Sequence, residues 1–143
     1  MTDFAAVDRI LSRRLPASLD ELRRLVALPS VSTEGSSMPE CAGLVSEMLS
    51  KRGFHVELVP SAGYPVVVAD RPGANRDRTL LFYNHYDVQP AGAPELWESP
   101  PFDLTLRDGC AFGGSPLLLR SPRAVWGQGG CLRFCQQSVH HLP

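Results

Sequence analysis

The run Thr79-Leu80-Leu81-Phe82-Tyr83-Asn84-His85-Tyr86-Asp87-Val88-Gln89-Pro90 decides how this chain reads. Its opening residues form a short apolar run of strand-forming types, which predicts a buried strand over 79–84. The polar residues after it mark the loop at the strand's carboxyl end. In open α/β sheets that end is where ligands and metals gather. Residues two apart in an extended segment point to the same side, so His85 and Asp87 belong together. A neutral imidazole is a metal ligand, and a carboxylate on its other ring nitrogen orients it. His85 is therefore a candidate metal ligand, with Asp87 placed to hold its other ring nitrogen or to support the site. Taken alone, H-x-D is a weak signal, because a lone histidine after a strand is more often a hydrogen-bonded loop residue.

Upstream, the pattern alternates between helical and extended. Phe4, Val7, Ile10 and Leu11 fall at helical spacing, which predicts an amphipathic helix over 3–14, ended by Pro16. Ser18-Leu19-Asp20-Glu21 fits a capping box that would start a second helix, carrying Leu19, Leu22, Leu25 and Val26 on one face. Pro29 would stop it, in a turn reading Leu28-Pro29-Ser30-Val31-Ser32. Pro39 suits the first residue of a third helix, with Cys41, Leu44, Val45, Met48 and Leu49 as its buried stripe and Gly53 as its C-terminal cap. On such a stripe Cys41 is a small core residue, not a nucleophile. Strands are expected at 54–59, 65–70 and 79–84, with a further short one at Leu104–Arg107 turned by Asp108-Gly109. Helices followed by strands make the expected class α/β, with a mixed sheet.

Composition divides the chain. All fifteen acidic residues lie in 1–109, where eleven Lys plus Arg leave a charge of −4. Residues 110–143 carry no acid, three arginines and three of the four cysteines. The overall charge of −1 gives no reason to expect nucleic acid or an acidic membrane surface as partner. Neither a secretory leader nor an apolar run long enough to span a bilayer is evident, so a cytoplasmic location is the expectation.

The residues 79–109, with LLFYNHYDVQP, then ELWESPPF, then RDG, closely resemble the signature block of the M20 family of metal-dependent hydrolases. The YNHYDVQP and LWESPPF forms are most similar to its dipeptidase-type branch. Over 18–78 the resemblance is weaker and rests on pattern, including the PSVS turn, which in the family lies near the active-site rim and reads as readily as an ordinary Ser/Pro loop. The resemblance implies a zinc-peptidase-like catalytic domain, incomplete here and covering residues 1–113. It implies cleavage of dipeptides or related amide bonds by a metal-activated water, with Zn, Mn or Co as the metal and a small peptide or N-acyl amino acid as substrate. His85 would be a metal ligand and Asp87 its support. The family's later parts, a bridging aspartate in G-x-x-D-x-K-G and then a Glu-Glu pair, have no counterpart after Gly113, where no acid occurs.

Residues 114–143 form a divergent Gly/Pro/Arg-rich tail, expected to be poorly ordered. Its acid-poor composition suits out-of-frame translation beginning near codons 112–115. The chain is then expected to be inactive alone, and able to associate with a missing C-terminal part. Two alternatives stand beside this. One is a non-catalytic interaction fragment. The other is a small zinc module built from Cys131, Cys135, His140 and His141, whose C-x3-C-x4-H-H spacing is shorter than a usual finger allows.

Overall fold

A computed structural model describes residues 4–74, 77, 79–107 and 109–113. The candidate zinc ligands of the tail lie outside them. The α/β class holds. The order is helix α1 (Phe4–Val26), helix α2 (Met38–Ser50), strands β1 (His55–Val59) and β2 (Val66–Asp70), a 3₁₀ turn at Pro94–Leu96, and strands β3 (Thr105–Arg107) and β4 (Cys110–Phe112).

One helix of 23 residues runs through Pro16 where two were expected. Proline removes one i→i−4 bond and crowds the preceding turn. Residues 11–18 are exposed throughout, so water can take the carbonyl that Pro16 leaves without a donor. The expected capping box therefore lies inside α1. Asp20 accepts from Arg23 at 2.7 Å, and Glu21 pairs with Arg52 beyond α2. None of the α1 side chains is fully buried, and Phe4, Ile10 and Leu11 stay more than half exposed.

The second helix follows its sequence. Proline stands in its first turn, and Ser37 before it takes a left-handed φ of 54°. Met38, Cys41, Ala42, Leu44 and Met48 are buried. At the far end Gly53, at φ 79°, lets the Phe54 N–H return to the Leu49 carbonyl at 3.2 Å. This helix packs across the antiparallel β1–β2 ladder, whose register pairs Val56 with Ala69 and Leu58 with Val67. His55 is exposed. Val31 and Leu104 complete the buried apolar set.

Contrary to the expectation of a strand over 79–84, these residues form none among the described residues. A strand is held by ladder bonds and a packed face. Here neither is supplied, and Leu80, Leu81, Phe82 and Tyr83 are 75–85% exposed. The described ladders are both antiparallel, and parallel pairing is confined to one isolated bridge, Val31 to Val88. The downstream hairpin forms as expected, with Gly109 at φ 74° in its turn and Thr105 opposite Phe112. Arg107 lies 4.4 Å from the Phe112 ring centre and pairs with Glu98. Trp97 donates its indole N–H to the Ala91 carbonyl at 2.9 Å, so this rare residue serves to close its own loop.

Two predictions follow from this packing. A Cβ at Gly113 would sit 2.9 Å from Val26 Cγ1, a stiff branched side chain at the end of α1. Gly113→Ala should lower stability by about 1–3 kcal/mol, the usual cost of overpacking, and an unchanged urea midpoint would show that the contact is not made. Glu47 is the second case. Lys51, at 2.5 Å, and then Arg24, at 3.1 Å, hold its carboxyl well below the ordinary 4.5, at about 2. Because the folded value is depressed, the stabilisation is complete above 4.5 and is lost as pH falls from there towards 2. Stability of Glu47→Gln should vary less with pH across that window, and equal slopes would refute the assignment.

Candidate functional site

The site is built on two loops that meet. Val31 bridges Val88, and the Val88 N–H donates to the Ser30 carbonyl at 2.9 Å. Ser30 is only 2% exposed, and its hydroxyl donates to the Tyr86 carbonyl at 2.8 Å. A single buried serine thus grips the chain on both sides of Asp87. The Cys41 thiol approaches the same Tyr86 carbonyl at 3.6 Å, and the Tyr86 hydroxyl donates to the Pro65 carbonyl at 2.6 Å. A buried backbone polar group needs a partner, so these contacts fix where Asp87 stands.

The two residues singled out from the sequence are brought together. His85 Nδ1 lies 2.9 Å from the Asp87 backbone oxygen and 3.1 Å from its Oδ1. Both oxygens can only accept when the carboxylate is ionised, so the neutral ring carries its proton on Nδ1 and keeps a lone pair on Nε2. The His85 side chain is 62% exposed against 35% for Asp87, which leaves the ring open to an outside ligand. The other carboxylate oxygen, Oδ2, accepts from Ser32 Oγ at 2.9 Å. The Ser32 carbonyl in turn accepts from the Tyr64 hydroxyl at 3.0 Å.

Burial pushes the Tyr86 phenol up, helped by Cys41 and Asp87 nearby, and burial also pushes up the Cys41 thiol. Cys41 is thus a neutral core thiol, as its place on the α2 stripe implied. The donor set suits one ligand of a zinc-like ion, an imidazole with its second nitrogen held by a carboxylate. Among the described residues no group of three His, Cys, Asp or Glu could hold a metal, so they do not make a complete metal centre by themselves. No described helix is long and apolar enough to cross a membrane.

The contribution of Ser30, Ser32, Tyr64 and Tyr86 did not stand out in the sequence. The only signal for the serines was the PSVS turn, which read equally well as an ordinary loop. For Ser30→Ala we expect a loss of about 1–3 kcal/mol, the cost of stripping a partner from a buried carbonyl. Amide exchange at Val88 should accelerate with it; unaltered exchange would mean that the Ser30 hydroxyl does not help hold the two loops together.

No protein-family model matches the chain. A curated relative, the succinyl-diaminopimelate desuccinylase of Halorhodospira halophila, is 35% identical over 99 residues, which are 69% of this chain. This chain spans about a quarter of that protein's length, 25%. Among solved structures, an M20 family metallo-carboxypeptidase from Sulfolobus solfataricus superposes with a TM-score of 0.62 at 33% identity. The match covers 67% of this chain and 22% of that one.

Proposed function

Because the matched part of this chain belongs to the M20 family of metallopeptidases, we propose that it supplies one ligand arm of a metal-dependent amide hydrolase. The observation that carries this reading is the His85–Asp87 pair, with Nδ1 committed to Asp87 and Nε2 free. His85 is the metal ligand through Nε2. Asp87 orients it and strengthens its basicity. A divalent metal such as Zn, Mn or Co, once bound, would polarise the scissile carbonyl and lower the pKa of water.

The substrate class is a small peptide or an N-acyl amino acid. Dipeptides fit the YNHYDVQP form of the signature block, while the two relatives carry the names of a desuccinylase and a carboxypeptidase. The remaining ligands and the general base belong to a part that residues 4–113 do not supply. This chain is accordingly inactive by itself. The exposed run Leu80–Tyr83 supports association with that part, since it offers apolar side chains and a backbone without ladder partners among the described residues. No role with nucleic acid or membrane is proposed.

The acid-free composition after residue 109 supports a shift of reading frame near codons 112–115. Translating the coding DNA beyond codon 113 in the other two frames should recover G-x-x-D-x-K-G and, later, a Glu-Glu pair. The in-frame protein should then hydrolyse dipeptides or N-acyl amino acids, lose activity to a chelator, and lose about 10–100-fold on Asp87→Ala. Hydrolysis indifferent to both chelator and Asp87→Ala would sink the proposal.

A further inference from the structure

We infer that Ser32 is a positioning residue for His85, acting through Asp87. The inference rests on the metal-ligand reading for its purpose, but its geometry stands on this chain alone. The Asp87 carboxylate has two jobs divided between its oxygens. Oδ1 faces His85 Nδ1 at 3.1 Å and Oδ2 takes the Ser32 proton at 2.9 Å. A serine hydroxyl has one proton, and an ionised carboxylate can only accept, so the direction of this bond is fixed.

Ser32 is itself held on its backbone side. Its carbonyl accepts from Tyr64, and the preceding Val31 forms the bridge to Val88. Gly35, at φ 72°, turns the chain just beyond, where a Cβ would come within 3.0 Å of the Tyr64 hydroxyl. The hydroxyl of Ser32 is thus presented from a fixed backbone to a carboxylate that has rotational freedom of its own. Without it, the half-exposed Asp87 side chain is free to turn towards water. His85 Nδ1 would then keep only the Asp87 backbone oxygen at 2.9 Å. The hydroxyl therefore helps decide which ring nitrogen carries the proton and which offers its lone pair. The two residues lie 55 apart in sequence, so nothing local would bring them together.

The test reads the tautomer directly. The full chain is labelled with ¹⁵N-histidine and studied at a pH high enough that the ring nitrogen shifts no longer change, so that only the two neutral tautomers are read. His85→Gln assigns the signal among the four histidines. The wild-type ring should be mainly Nδ1–H. Ser32→Ala should lower the ratio of Nδ1–H to Nε2–H by about fivefold, the factor that one ordinary hydrogen bond is worth. Ser32→Thr and Ser32→Val, equal in size and differing by the hydroxyl, keep the test informative if the alanine variant folds poorly. Threonine should preserve the wild-type ratio and valine should lose it.

If alanine and valine both leave the ratio unchanged while Val88 keeps its amide protection, the positioning role is wrong. It is equally wrong if threonine and valine behave alike. The other reading is tested separately by adding zinc to the in-frame protein, which would hold the remaining ligands, and following the His85 Nε2 resonance. A Ser32 effect on the tautomer with no response of Nε2 to zinc supports the positioning role and removes only the metal-ligand assignment.

Discussion

Ser30 is the residue on which the arrangement of the site depends. Its hydroxyl and its carbonyl engage the Tyr86 carbonyl and the Val88 N–H, one on each side of Asp87. Each of these groups would be costly to leave unpaired away from water. The segment after His85 lies outside any ladder, so it is not fixed by sheet pairing. It is fixed by a turn from a distant part of the chain, and that turn is fixed by the core. Val31 and Cys41 belong both to the buried apolar set and to the contacts around Tyr86 and Val88. Packing of α2 and placement of the H-x-D pair are thus one structural fact.

The surroundings of the pair leave little chemical ambiguity. The Cys41 thiol and Tyr86 phenol are both pushed up by burial, so they stand by as neutral groups at neutral pH. Ser30 donates to a carbonyl, and Ser32 to the carboxylate. Asp87 is the carboxylate within hydrogen-bond reach of His85, and its two oxygens are divided between an imidazole and a hydroxyl. Such a division makes the ring orientation depend on several bonds in series, each geometrically specific.

What could be read in the sequence follows the range of the forces involved. The α2 stripe, its glycine cap, the β1–β2 strands and the turn at Gly109 are set by local periodicity and backbone chemistry, and they appear where the pattern places them. The i, i+2 relation of His85 and Asp87 is also local, and the contact survives although the expected strand before it does not form. Pro16 misled because a breaker rule assumes a helix interior that cannot rehydrate, whereas α1 is exposed along that stretch. The Ser32–Asp87 and Ser30–Tyr86 contacts span more than fifty residues, and no spacing rule reaches that far.

Residues 79–84 carry the opposite lesson. Their pattern is that of a strand, and a strand pattern expresses a demand for neighbours, not a structure held by the segment itself. Leu80 to Tyr83 remain exposed because, among the described residues, β1 and β2 pair only with each other, and β3 and β4 likewise. The loop that carries His85 is therefore secured on its carboxyl side by Ser30, Ser32 and Tyr86, while among the described residues no such tie holds Leu80 to Tyr83 on its amino side. Pairing along that open segment would restrict the backbone immediately before His85, just as Ser30 restricts it after Tyr86. The site is half fixed by a buried polar clasp, and the remaining freedom lies in an apolar run whose side chains already call for a partner surface.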